Sequence, residues 1–151
     1  MISSPSVRNG HRSCAVFGLF DYDPDGISIL STYKYSSSTL AHESETIKCP
    51  TMQWIGLSNS DFARAICMNL TDGLIPLSKR DRRLATRMLS RAPFCEDGDE
   101  PSWRKEVQSM LVLNMKAEIQ FLECYDGGLA GWLYGRDFQS IREGNFTPGR
   151  V

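Results

Sequence analysis

The sequence predicts an α/β fold in which a mainly parallel sheet is sandwiched between helices in three layers. Short apolar runs alternate along the chain with amphipathic stretches of helical period, a pattern typical of strand–helix–strand units. Two carboxylates, Asp21 and Asp23, directly follow the first apolar run, and open α/β sheets bind ligands beyond such strand ends. Few strands are evident for a self-sufficient sheet of this type, so we expect a fragment of a larger domain.

Length and composition are those of one ordinary globular domain. The chain has 151 residues and a net charge of −1, so bulk charge indicates neither a nucleic-acid nor a membrane partner. No segment is apolar enough to span a membrane. Five scattered cysteines without a CxxC pair predict reduced thiols inside the cell. We expect residues 1–14 to be a poorly ordered leader, residues 15–143 to fold and residues 144–151 to be a frayed tail.

The first half of the chain is predicted to contain three short strands. The apolar run at 15–20 is the first, and Asp-Pro-Asp-Gly at 23–26 is strong turn chemistry before a helix that ends near residue 35. The segment MQWIGL at 52–57 predicts a second strand, followed by one or two helical turns at 61–68. A third strand is expected at 74–77.

The second half is predicted to be helical. Ser78 is a suitable N-cap with Asp81 three residues later, so a helix should begin there and end before Pro93. A longer helix should start at Pro101 and continue, interrupted at most near Asn114, to residue 124. A short amphipathic helix is expected at 129–134.

The paired acids have two simple interpretations. Alternate residues of a strand face the same side, so the carboxylates of Asp21 and Asp23 should converge, and converging carboxylates repel unless a cation or proton intervenes. Because Mg²⁺ is bound through one or two carboxylates, the motif predicts a magnesium site. Alternatively, both acids are turn formers, and Asp23 caps a helix whose first residue is Pro24.

Two other kinds of site use similar acids. Residues 21–26 match the first half of a calcium-binding EF-hand loop, but its twelfth position, normally Glu, is Thr32. Aspartyl-nucleophile phosphatases also place two acids at a strand end. They need a later lysine, and neither Lys48 nor Lys116 follows a convincing strand. Lys116 and Glu118 could lie beside the site, but we favour a charge pair on a helix surface.

A basic cluster occupies the helix predicted to begin at Ser78. Its candidate DNA-phosphate contacts are Lys79, Arg80, Arg82, Arg83 and Arg87. The alternatives are a solvated face with arginine stems lying along apolar neighbours and, for Arg80, an ion pair with Asp81.

Four collinear segments resemble the topoisomerase VI A-subunit family, whose eukaryotic members are the Spo-eleven-type meiotic recombination proteins. The first resembles the family's Toprim metal motif, a strand followed by D-x-D-P-x-G and Y-K-Y: VFGLFDYDPDGISILSTYKY. The other three are MQWIGLSNSDF, LIPLSKRDRRLATRMLSR and EPSWRKEVQSMLVLNMKAEIQFL. Together they span about residues 15–123.

The resemblance implies a Rossmann-like Toprim domain and a DNA transesterase that acts in the nucleus. In this family a tyrosine on a separate winged-helix domain attacks a DNA phosphodiester, which leaves a tyrosyl–DNA link and a double-strand break. The Toprim carboxylates hold Mg²⁺ beside the phosphate, so Asp21 and Asp23 would be the metal ligands. The implied partners are DNA and a second copy of the chain or a topoisomerase VI B-like subunit.

The chain departs from the family pattern at several positions. None of its tyrosines lies in the family's tyrosine motif, so no catalytic residue is assigned. The Toprim glutamate precedes the two aspartates and has no counterpart here, because Glu43 and Glu45 follow them. Asp25 stands where the family more often has His or Tyr, and Ser36 replaces a Gly. We therefore expect part of a Toprim domain, incomplete at its N-terminus, that is either the metal-binding portion of the enzyme or a non-catalytic relative that binds DNA or dimerises.

Overall fold

The computed structural model describes residues 16–35, 49–70 and 72–135. The leader expected at 1–14 and the tail expected at 144–151 lie outside the described residues, as do Glu43, Glu45 and Lys48. No helix in the described ranges is long and apolar enough to cross a membrane. Each of the four cysteines within those ranges is a free thiol.

The first parallel pair of strands carries the two acids at its end. Strand β1, Phe17–Gly18, pairs with β2, Gln53–Trp54, with Phe17 opposite Gln53 and Gly18 opposite Trp54. Helix α1, Pro24–Tyr35, begins immediately after Asp23 and buries Ile27 and Leu30. The strand, turn and helix expected within 15–35 are therefore present, although the regular strand is shorter than its apolar run.

Local sequence determines where the next two helices begin. Ser58 and Asp61 form a capping box at the start of α2, Asn59–Cys67. Ser78 and Asp81 do the same for α3, Lys79–Met88, where the Asp81 amide donates to Ser78 Oγ over 3.1 Å. A capping box satisfies two backbone donors that a helix start would leave unpaired. The predicted N-cap Ser78 is confirmed.

The chain after α4, Pro101–Leu113, differs from the prediction. Asn114 has a left-handed backbone conformation with φ of 53° and ends the helix, because Asn tolerates this conformation better than most residues. The next residues form strand β4, Met115–Ala117, and a 3₁₀ helix, Ile119–Cys124. The interruption allowed near Asn114 is present, but the α-helix expected to continue beyond it to residue 124 is wrong. The short helix expected near 129–134 is present as α5, Gly128–Gly135.

Strand β4 belongs to a second two-stranded sheet and is linked to the segment after β1 by a single β-bridge. It pairs antiparallel with β3, Leu74–Pro76, with Leu74 opposite Ala117. Its Ala117 also exchanges backbone hydrogen bonds with Tyr22, at 2.8 and 3.1 Å. The α/β class is confirmed, but strand pairing in the described part is mixed rather than mainly parallel. The three-layer arrangement stays a prediction.

One hydrophobic core lies beneath these elements. Tyr22 is fully buried between the two acids, and its ring contacts Trp54 and Phe62 with centroids 6.2 and 4.5 Å apart. Trp103 packs edge-on against Trp54, and Met110 and Val107 of α4 are fully buried. Because Tyr22 points into this core, its neighbours Asp21 and Asp23 are positioned by packing as well as by the backbone.

Candidate metal centre

The backbone orients the Asp21 carboxylate. Its Oδ1 accepts a hydrogen bond of 2.8 Å from the amide of Ile119, which follows β4. No hydrogen bond to its other oxygen, Oδ2, comes from the residues that the structure describes. A carboxylate fixed through one oxygen can present the second to a cation without reorganisation.

The Asp23 carboxylate is fixed in the same way. Its Oδ1 accepts a hydrogen bond of 2.6 Å from the amide of Gly26, in the first turn of α1. Asp23 is therefore an N-cap, as one of the two simple interpretations predicted. Capping uses one oxygen only, and Oδ2 lies 3.9 Å from Lys116 Nζ. The capping and metal-binding interpretations of Asp23 are compatible.

Gly26 permits the close approach of α1 to the acids. A Cβ atom at this position would lie 2.4 Å from the Asp21 carbonyl oxygen and 3.2 Å from Asp23 Oδ1. Backbone atoms cannot give way as a flexible side chain can, so the tight approach requires glycine.

The surroundings of Asp23 disfavour the negatively charged form of its carboxyl group. Burial raises the pKa of the Asp23 carboxyl, and the charges of Asp25 and Asp21 raise it further, against the lowering effects of the Gly26 amide and the Lys116 ammonium. The negative charges of Asp25 and Asp21 therefore disfavour ionisation of Asp23. A bound cation would relieve this repulsion.

Lys116 and Asp81 form a second charged pair beside the acids. Lys116 Nζ lies 3.0 Å from Asp81 Oδ2, and the Asp81 side chain is 3% exposed. Burial alone would raise the pKa of Asp81, but hydrogen bonds from Ser78 and Lys116 outweigh it and lower the pKa. Burial likewise opposes the charge on Lys116, but Asp81, Asp23 and Asp25 outweigh it and raise the pKa of Lys116.

Lys116 lies beside the acids, which was the less favoured of its two interpretations from the sequence. The expected charge pair with Glu118 on a helix surface is wrong, because residue 116 lies on β4 and its ion pairs are with Asp81 and Asp23. Asp81 was recognised as a capping residue but not as a neighbour of the two acids. The only sequence signal for Lys116 was its place in the last matching segment of the family pattern.

The EF-hand loop does not fit the structure, and Lys116 does not fit the phosphatase site; Lys48, the other lysine considered, lies outside the described residues. Residues 24–35 are helical, and Thr32 Oγ1 donates to Ser28 O inside that helix, so residues 21–32 are not an EF-hand loop. Lys116 contacts Asp23 and Asp81 rather than Asp21, the first acid, which would be the nucleophile of a phosphatase.

The basic residues of α3 fall into two groups. Arg80 makes a bidentate ion pair with Asp25, at 2.8 and 3.1 Å. The alternative Arg80–Asp81 pair is therefore wrong. Arg82 donates to Leu77 O and Asn114 Oδ1. The other three basic residues have no ion pair among the described residues: Lys79, Arg83 and Arg87. They line a shallow groove of about 540 Å³ together with Arg82, Thr86 and Ser90. Their assignment to DNA stays a prediction.

The donor chemistry of the two acids fits a hard divalent cation. The described residues contain no group of three or more Asp, Glu, His or Cys side chains able to hold a metal, so a closed protein cage of the zinc or calcium kind is not formed there. Two carboxylates with one uncommitted oxygen each match Mg²⁺, which keeps several of its waters.

Two of the tyrosines are unsuited to nucleophilic attack. The Tyr22 hydroxyl is buried and donates to Glu106 Oε2 over 2.8 Å, and burial, followed by the Glu106 charge, raises its pKa. The Tyr35 hydroxyl donates to Glu100, and burial together with that carboxylate raises its pKa.

Comparison with known proteins assigns the family. The family model for the Toprim domain of the topoisomerase 6 A-subunit and Spo11 matches residues 9–128. Meiotic recombination protein SPO11 of Mus musculus is 42% identical over 108 residues, which cover 71% of this chain and 26% of that protein. Meiotic recombination protein rec12 of Schizosaccharomyces pombe is 32% identical over 121 residues, 80% of this chain and 33% of rec12. The A3 subunit of DNA topoisomerase 6 from Oryza sativa subsp. indica is 29% identical over 110 residues, 73% of this chain and 24% of that protein.

The family model covers the four segments that carry the paired acids, the capped helix α3 and the strand that bears Lys116. The chain spans about a quarter to a third of the length of these relatives. It belongs to the family of the topoisomerase 6 A-subunit and Spo11, through the Toprim domain of that family.

Proposed function

We propose that this chain is the Mg²⁺-binding Toprim portion of a topoisomerase VI A-like DNA transesterase that makes meiotic DNA double-strand breaks in the nucleus. The observation that carries the proposal is the pair Asp21 and Asp23, each held by a backbone amide through one oxygen. The names of the relatives, two meiotic recombination proteins and a component of a DNA topoisomerase, support the reaction class.

Asp21 and Asp23 would hold the ion, and the surrounding residues would hold the acids. When bound, Mg²⁺ supplies stabilisation of the negative charge that develops on a reacting phosphate. The amides of Ile119 and Gly26 keep the two carboxylates in place. Because the acids are preorganised in this way, little conformational freedom is lost when they bind a cation.

The basic face of α3 would bind DNA through its phosphates. Lys79, Arg83 and Arg87 are separated by four residues each and therefore lie along one side of the helix. Arg82 lines the same groove, but Arg82 and Arg80 are both engaged by groups of the protein itself. Of the five candidates, the first three are thus the ones best placed for phosphate contacts.

The nucleophile is proposed to come from outside the described residues. A tyrosine on a winged-helix domain would attack the phosphodiester, within a homodimer or a complex with a topoisomerase VI B-like subunit. The burial of the Tyr22 and Tyr35 hydroxyls supports this division of labour.

A second candidate is a non-catalytic module that binds DNA or dimerises. It is favoured by the hydrogen bonds that engage the hydroxyls of the buried Tyr22 and the partly buried Tyr35. The two candidates are distinguished by incubating the 151-residue chain with plasmid DNA and Mg²⁺, alone and with a winged-helix fragment of a relative. A covalent protein–DNA adduct formed only in the mixture supports the enzyme; DNA binding without an adduct in either sample supports the module.

The metal site is tested by titration with Mn²⁺, a spectroscopically visible substitute for Mg²⁺. Asp21→Asn and Asp23→Asn keep the hydrogen-bond acceptor of each side chain but remove its charge, so each should weaken binding at least about tenfold. Asp97→Asn removes the same charge from an exposed loop and serves as the matched control. Unchanged affinity in both site variants would contradict the metal assignment.

The DNA face is tested by the salt dependence of binding to a short duplex. The Arg83→Gln/Arg87→Gln double variant should reduce the slope of log K against log salt by about 0.9 for each phosphate that it no longer neutralises. The control is Arg64→Gln/Lys105→Gln, which removes two exposed charges from other helices. Equal reductions in the two double variants would mean that α3 is not the DNA face.

A further inference from the structure

We propose that Asp81 sets the cation affinity of the Asp21–Asp23 pair by holding the Lys116 ammonium away from Asp23. This inference rests on the proposed function of the two acids. Asp81 is in this sense a positioning residue, because it acts on the metal site through Lys116 and not by direct ligation.

Lys116 has two carboxylates within reach and is bonded to one. Its Nζ lies 3.0 Å from Asp81 Oδ2, a hydrogen-bond distance, and 3.9 Å from Asp23 Oδ2. The second distance is too long for a good hydrogen bond. Asp23 Oδ2 is the oxygen that is not used to cap α1. The Lys116 ammonium therefore lies near the Asp23 oxygen that we propose binds the cation, while its hydrogen bond is to Asp81.

Both members of the Asp81–Lys116 pair are anchored in regular structure. Asp81 Oδ2 also accepts the Ser78 amide over 2.9 Å, which fixes the carboxylate at the start of α3. Lys116 lies in the middle of β4, where its backbone pairs with Ile75 of β3. Since neither backbone position can shift without breaking a cap or a strand pair, the side chain of Lys116 is the part free to turn toward Asp23.

Two substitutions should therefore change cation affinity in opposite directions. Without the Asp81 charge, Lys116 turns to Asp23 and competes with the divalent cation for its oxygen. Without the Lys116 ammonium, a positive charge close to the site disappears and the cation binds more tightly. If Asp81 and Lys116 merely stabilised the fold, loss of either would weaken binding or leave it unchanged.

The experiment is a Mn²⁺ titration of the full 151-residue chain at neutral pH. Asp81→Asn preserves an oxygen for the Ser78 amide, and Lys116→Met preserves the aliphatic stem of the lysine. We expect Asp81→Asn to weaken Mn²⁺ binding about tenfold and Lys116→Met to strengthen it several-fold. Asp81→Asn should weaken Mn²⁺ binding much less in the Lys116→Met background than in the unmodified chain, because the ammonium that Asp81 holds is gone.

Lys105→Met is the matched control, since it removes one positive charge from an exposed position on α4. It should change Mn²⁺ affinity by less than about twofold, because exposed charges away from the site are screened. Strengthening as large as that of Lys116→Met would show that net charge alone explains the effect and would overturn the proposal.

The remaining outcomes separate this inference from the proposed function. If Asp81→Asn weakens Mn²⁺ binding as much in the Lys116→Met background as in the unmodified chain, Asp81 does not act through Lys116 and the inference is wrong. If the Asp81→Asn variant does not fold, the Lys116→Met variant provides the test. Mn²⁺ binding by Lys116→Met that is equal to or weaker than that of the unmodified chain overturns the inference. If Asp21→Asn does not reduce Mn²⁺ binding, both proposals fail; if it does and the other variants are neutral, only this one fails.

Discussion

The hydroxyl of Tyr22 offers a direct test of how the two acids are held. Tyr22→Phe removes only this hydroxyl and keeps the ring contacts with Trp54 and Phe62. It breaks the buried hydrogen bond of 2.8 Å to Glu106 Oε2. Glu106 keeps the Asn59 amide as a donor, so the carboxylate is left partly rather than wholly unsatisfied.

The expected loss of stability follows from the type of bond. A hydrogen bond to a charged group contributes about 1.5–3 kcal/mol net, so the variant should lose about 2 kcal/mol of unfolding free energy. With a urea dependence of about 2 kcal/mol per M, the midpoint should fall by about 1 M. The assay is urea denaturation followed by tryptophan fluorescence, because Trp54 and Trp103 lie in the same core.

Tyr33→Phe is the matched control, because it removes a tyrosine hydroxyl from a side chain that is 39% exposed. Its stability should change by less than about 0.5 kcal/mol. A loss below about 0.5 kcal/mol in Tyr22→Phe, or an equal loss in the two variants, would refute the view that the Tyr22–Glu106 bond anchors this segment.

Two further predictions concern the acids themselves. Burial and the charges of Asp25 and Asp21 raise the pKa of Asp23 in the folded chain. The folded state therefore binds the Asp23 proton more tightly than the unfolded state does. As the pH rises above about 4, the ordinary pKa of an aspartate, ionisation of Asp23 lowers the stability of the folded chain. Metal-free Asp23→Asn should therefore be more stable than the unmodified chain at about pH 7 and equally stable near about pH 3, which denaturation at the two pH values would show; a deficit at the higher pH would contradict the reasoning. Gly26→Ala should lose about 1–3 kcal/mol of stability through overpacking, since its Cβ would meet the Asp21 carbonyl oxygen at 2.4 Å. Gly135→Ala, whose Cβ would meet nothing within 4 Å, is the control, and similar losses in the two variants would argue against the close approach.

Elements specified by local signals were predictable from the sequence. The capping box of Ser78 and Asp81 operates within four residues, so α3 begins where expected. Pro101 occupies the first turn of α4, as its missing amide hydrogen favours. Residues 115–124 had an equally helical pattern, but their conformation depends on distant partners. Asn114 turns the chain, and β3 and Tyr22 supply the backbone partners of Met115–Ala117.

The candidate site divides along the same line. The sequence alone determined that Asp21 and Asp23 end an apolar run, that glycine follows and that the family is one of DNA-acting proteins, because each of these is carried by contiguous residues. Only the tertiary structure decided which charges surround the acids. Lys116 lies 93 positions after Asp23 in the chain and reaches it only because β4 pairs beside Tyr22. Pairings of this kind depend on how separate elements pack, so the periodicity of a single segment does not predict them.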